Sequence, residues 1–120
     1  MMEKKKATLV HTECSKHFMA IRDTMELLSG KWKIQMLGVL IRANQPLRFM
    51  DLLREVDGIA AKMLSKELQD LEMNKLVTRT VINSKPITVE YEITEYAQTL
   101  DEMLTSMINW GLKHREKIMG

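Results

Sequence analysis

The sequence holds a single cysteine among 120 residues, which excludes an internal disulfide and fits a reducing compartment. No apolar run approaches the ~18 residues needed to cross a bilayer. The opening stretch MMEKKKATLVHTECSKH is basic, but it turns polar before the apolar segment of a secretory signal can develop. A cytoplasmic protein with no membrane partner is therefore expected. An excess of one charge is missing too: 18 Lys and Arg against 16 Asp and Glu leave a net +2, which permits a polyanionic partner without demanding one. There is no internal repeat and no low-complexity segment. A glycine loop for phosphate, a carboxylate cluster and a nucleophile beside an oriented base are all lacking, so no enzyme, no catalytic residue and no cofactor are expected.

What remains is a series of periodic segments. Residues 1–13 contain Lys4-Lys5-Lys6 and no repeating apolar face, the pattern of a flexible basic arm. Phe18, Ile21, Met25 and Leu28 then recur at +3, +4 and +3, which predicts an amphipathic helix ending near Ser29-Gly30. Trp32, Met36, Leu37 and Leu40 predict a second helix over Lys31–Arg42, broken by Asn44-Gln45-Pro46. Phe49, Leu52, Leu53 and Val56 mark a short third helix. Asp57-Gly58 turns the chain into a fourth helix, about 61–73, whose Leu64, Leu68 and Leu71 form one buried stripe. The period then changes. VTRTVIN is rich in β-branched residues, and ITVEYEIT alternates apolar and polar side chains from Ile87, so the two predict a hairpin with Asn83-Ser84-Lys85-Pro86 at its tip. Thr94 is placed to cap a last helix, about 95–118, with Tyr96, Leu100, Met103, Met107 and Trp110 along one stripe and Leu104 and Ile108 beside it.

Two helices joined by a turn containing Gly58, followed by a β-hairpin, define a helix-turn-helix with a wing. The expected fold class is mainly α with a small β-hairpin (α+β): a winged helix-turn-helix with additional N- and C-terminal dimerisation helices. After the arm, residues 14–120 are expected to form one domain, with the helix-turn-helix at about 48–73 and the wing at about 77–93. The helix from Ala61 turns Lys62, Ser65, Lys66 and Gln69 away from its leucines. Lys reaches guanine acceptors, Gln pairs with adenine and Ser serves several bases, so this face suits a major groove. Lys31, Arg48, Arg79 and Lys85 are candidate contacts to the flanking duplex, brought to one side by the fold. On the other side of the balance, Glu67, Asp70 and Glu72 dilute the basic character of the reading helix, and Arg79 has an alternative partner in Glu90 across the ladder.

The ordered motifs GKW (Gly30–Trp32), RF (Arg48-Phe49), GIAAKML (Gly58–Leu64), LE (Leu71-Glu72) and VEYEIT (Val89–Thr94) resemble those of the HxlR-type winged helix-turn-helix regulators of bacteria. The resemblance covers about residues 25–112. It implies a homodimeric transcription factor whose terminal helices make the dimer, whose 61–73 helix reads DNA and whose 77–93 hairpin is the wing. This sequence departs from the family in carrying Lys75 where glycine is common before Leu-Val, and Ala60 where serine often caps the reading helix. A two-fold dimer would match an inverted-repeat operator in double-stranded DNA. The competing reading is a winged helix used only for protein–protein contact.

Cys14 is a candidate redox sensor, since Lys16 and His17 nearby favour its thiolate and relatives commonly carry a reactive cysteine near the N-terminus. His11, Cys14 and His17 spell H-x2-C-x2-H. On a helix, though, positions six apart differ by about 240°, and three ligands do not close a zinc site, so no metal is expected. The eleven methionines lie mainly on apolar stripes as core fillers, and no residue identifies a small-molecule effector, although a redox or small-molecule signal is a candidate switch.

Overall fold

The computed structural model describes the backbone of residues 2–120 and the side chains from Ser15 onward. It divides into two compact units, Met1–Gly30 and Lys31–Gly120. The first unit is the helix α1, Met2–Leu27. The sequence predicts a start only near the Phe18 stripe; because neither proline nor glycine interrupts residues 2–29, the helix has no local reason to stop short of Met2. The arm expected over 1–13, together with Cys14 and His11, lies outside the residues whose side chains are described.

The second unit begins with α2 (Lys33–Ala43), which buries Met36, Leu37 and Leu40 completely. Asn44 ends it in the left-handed region, a conformation that asparagine tolerates. A two-residue strand β1 (Leu47–Arg48) leads into α3 (Phe49–Glu55), where Asp51 accepts the Arg48 N–H at 3.1 Å and holds one free donor of the helix start. Val56 and Ile59 are buried on either side of Gly58, whose φ of +85° makes the sharp turn that a side chain would strain. The helix α4 (Ala61–Met73) follows with the predicted boundaries, its Leu64, Leu68 and Leu71 sealed in the core.

The exit from α4 is a Schellman motif. Leu76 N–H donates to the Leu71 carbonyl at 2.9 Å and Lys75 N–H to Glu72 at 3.0 Å, with Lys75 at φ +64° and Leu76 buried over Leu71. The strands β2 (Val77–Ile82) and β3 (Thr88–Ile93) form the hairpin, and β1 adds to the outer edge of β3, giving an antiparallel sheet of order β1-β3-β2. Burial fades along the ribbon, from Val77 and Ile93 in the core to exposed Val81 and Ile87, so the hairpin projects as a wing.

Thr94 anchors the base of this wing. Its hydroxyl donates to the Lys75 carbonyl at 2.8 Å and accepts the Ala97 N–H at 3.0 Å. The cap predicted at Thr94 therefore serves a 3-10 turn, Ala97–Leu100, and the long helix α5 starts only at Asp101 and runs to Met119. Leu104 is the one buried apolar residue of α5, while Met107, Ile108, Trp110 and Leu112 stay more than 45% exposed. Among the described residues no helix is long and apolar enough to cross a membrane, and no group of side chains has the makings of a metal site.

Candidate nucleic-acid interface

The helix α4 is held by chemistry on both of its sides. Its leucines fix it to the core, and behind it Lys33, at the first turn of α2, is buried to 8% exposure with its Nζ 2.9 Å from Glu67 Oε2 and 3.4 Å from Asp70 Oδ2. The buried Glu67 Oε2 has this ammonium as its compensation. Burial alone would lower the Lys33 pKa, but Glu67 and then Asp70 outweigh it and hold the group above the ordinary lysine value. Glu67 is thereby turned inward and paired, while Asp70, 43% exposed at its side chain, shares the same ammonium. The outward face is left with Lys62, Ser65, Lys66 and Gln69, all exposed and successive along one side.

Arg79 sits on β2 opposite Tyr91, whereas Glu90 lies opposite Thr80 on one side and Arg48 on the other. The alternative pairing of Arg79 with Glu90 is thus not that of the ladder, because a strand directs alternate residues to opposite faces. Ser65 and Gln69 of α4, Arg79 of β2 and Tyr91 of β3 instead line one cleft, floored by Leu68 and rimmed by Glu72. The structure brings these three predicted residues together. Lys31, Arg48 and Lys85 are exposed on other segments and do not line the cleft. Lys31 Nζ rests 4.8 Å from the centre of the Trp32 ring, Arg48 is the residue before α3, and Lys85 occupies the hairpin tip. Among the described residues none of the six cations Lys31, Arg48, Lys62, Lys66, Arg79 and Lys85 is engaged in an ion pair.

Two participants escaped the sequence reading. Lys33 carries no local signal, since its partners on α4 are distant in sequence and only folding brings them to it. Tyr91 reads as one more apolar position in VEYEIT, and nothing in the alternation distinguishes a core tyrosine from one that lines a cleft.

A short helix, a glycine turn and a second helix with a polar outer face, backed by α2 and followed by a projecting hairpin, define a winged helix-turn-helix. The chain belongs to the HxlR-like helix-turn-helix family, whose model matches residues 27–119. It is 33% identical over 108 residues to the HTH-type transcriptional regulator YtcD of Bacillus subtilis, covering 90% of this chain and 84% of YtcD. The solved structure of the redox regulator HypR in its reduced form matches with a TM-score of 0.75 at 30% identity, over 83% of this chain and 97% of that one. The reduced form of the transcriptional regulator YodB from B. subtilis gives 0.68 at 30% identity, over 76% and 87% of the two chains. The protein is a DNA-binding transcriptional regulator of the HxlR type.

Proposed function

We propose that the protein works in the cytoplasm as a homodimer that recognises an inverted repeat in double-stranded DNA, with α4 in the major groove and the β2–β3 wing against the neighbouring minor groove. In this arrangement Ser65 and Gln69 read base edges, Lys62 and Lys66 engage guanine or phosphate, and Lys31, Arg48, Arg79 and Lys85 hold the flanking backbone. The observation that carries the reading is the shared cleft: Ser65 and Gln69 of α4 and Arg79 of β2 line one surface feature where helix meets wing.

Titration of labelled duplexes, first from a random pool and then with the sequence selected from it, tests the proposal over a range of salt. Binding should weaken steeply with salt and retain a preference for the selected sequence. Lys62→Glu with Lys66→Glu should abolish binding while the fold and the oligomeric state persist; affinity retained in that double variant overturns the assignment.

The likeness to HypR, a redox regulator, supports a second element for the single cysteine. Oxidation at Cys14 would change affinity for DNA, and Cys14→Ser should make binding indifferent to diamide or peroxide. An oxidant response that survives in Cys14→Ser removes this element and leaves the DNA reading untouched.

A further inference from the structure

The major and minor grooves of a duplex are separated by one sugar-phosphate strand. A fold that lays α4 in the first groove and extends its wing over the second must give that strand a place to pass. The cleft at the junction of α4 with β2 and β3 is such a place. Resting on the function proposed above, we infer that this cleft seats a DNA backbone phosphate, with the Tyr91 hydroxyl and the Arg79 guanidinium as its ligands and the Glu72 carboxylate as an opposing charge that limits its affinity.

Three observations carry the assignment. Tyr91 is half-buried, flanked across the ladder by Arg79 on β2 and Leu47 on β1, yet among the described residues its hydroxyl has no hydrogen-bond partner. No other described side chain engages that hydroxyl, so it is free to donate to a phosphate oxygen. Arg79 is exposed and free of any ion pair among the described residues, so its donors are available to the same anion. The cleft includes Leu68, only 1% exposed and on the core side of α4, so it lies on the flank of the helix nearest the wing, with Ser65 and Gln69 shared with the outward face and Lys62 and Lys66 outside it. Ser65 and Gln69, on the helix side of the cleft, face the base edges within the groove, while Arg79 and Tyr91, on its wing side, meet the strand of phosphates that forms the groove's outer rim.

Glu72 decides between a phosphate and a base edge. Next to a phosphate its charge is repulsive whatever the sequence, whereas a base edge would use it as an acceptor and discriminate by it. The test compares Tyr91→Phe, Arg79→Gln and Glu72→Gln with the unchanged protein, each on the selected duplex and on a scrambled duplex of equal length. Tyr91→Phe keeps the ring and should weaken both complexes roughly tenfold, with the salt dependence unaltered because a neutral donor releases no counterion. Arg79→Gln should weaken both and lower the salt slope by about one. Glu72→Gln should tighten both complexes alike.

Unchanged affinity in Tyr91→Phe, or a Glu72→Gln effect confined to the selected duplex, overturns the phosphate assignment. The Lys62→Glu, Lys66→Glu variant separates the two levels of inference. If that variant loses DNA while Tyr91→Phe and Arg79→Gln bind as the unchanged protein does, the cleft assignment falls alone; if the unchanged protein binds no duplex at all, the function proposed above falls and takes the cleft with it.

Discussion

Lys33 is the residue on which the orientation of the reading helix turns. Its ammonium bridges α2 to Glu67 and Asp70, and Glu67 is itself only 12% exposed at the side chain. Replacing Lys33 by Met keeps the aliphatic stem but strands a buried carboxylate, which should cost about 2–4 kcal/mol, somewhat less than for a wholly enclosed pair because Asp70 remains 43% exposed. Urea denaturation at neutral pH measures this loss. The pH dependence has a defined sign. The folded protein holds the Lys33 proton more tightly than the unfolded chain, whose ordinary value is 10.5, so the pair's contribution is complete below that pH and fades as pH rises through the higher folded value. The stability difference between the native protein and Lys33→Met should therefore stay constant from about pH 7 to 9 and narrow above 10.5. A gap that persists undiminished at higher pH would show that the ion pair is not its source.

At the scale of elements, α4 and its exit show what sequence periodicity conveys and what it omits. The helix ran over Ala61–Met73 as expected because its leucines and its polar face are both local patterns. The hairpin was equally legible through its alternation. The strand β1, at two residues, is too short to have a period, and its existence depends on Tyr91 and Glu90 of β3, far along the chain. The delayed start of α5 was hidden as well, because Thr94 is spent on both the Lys75 carbonyl and the 3-10 turn. At the end of α4, Lys75 takes the left-handed position of the Schellman motif, at φ +64°. A residue with a Cβ pays about 1–2 kcal/mol there, partly offset by the greater unfolded freedom of glycine. Lys75→Gly should accordingly raise stability by about 0.5–1 kcal/mol, seen as a higher midpoint in denaturant with the slope unchanged. A lower midpoint would mean that the Lys75 side chain contributes contacts exceeding its backbone strain.

At the scale of the whole molecule, the apolar surface is the feature that one chain does not account for. In the first unit Phe18, Ile21 and Met25 are 53–66% exposed, although their spacing reads as a core-facing stripe; periodicity identifies an apolar face but not which surface covers it. The far half of α5 repeats the pattern, with Ile108 and Leu112 one turn apart at 60% and 61% exposure. A second copy of the chain is the cover we propose for these faces. Ile108→Glu with Leu112→Glu places four carboxylates in a two-fold interface that the native protein fills with aliphatic side chains, forfeiting roughly 1.5–3 kcal/mol for each one no longer buried. Sedimentation should find the variant monomeric at concentrations where the native protein is dimeric, with its helical content retained. Its α4 and wing are intact, so it should still bind DNA, weakly, and the logarithmic dependence of affinity on salt should fall to about half, since one set of cations meets the phosphates where two did before. A variant that stays dimeric, or a monomer that keeps the full salt slope, would place the dimer contact elsewhere on the chain.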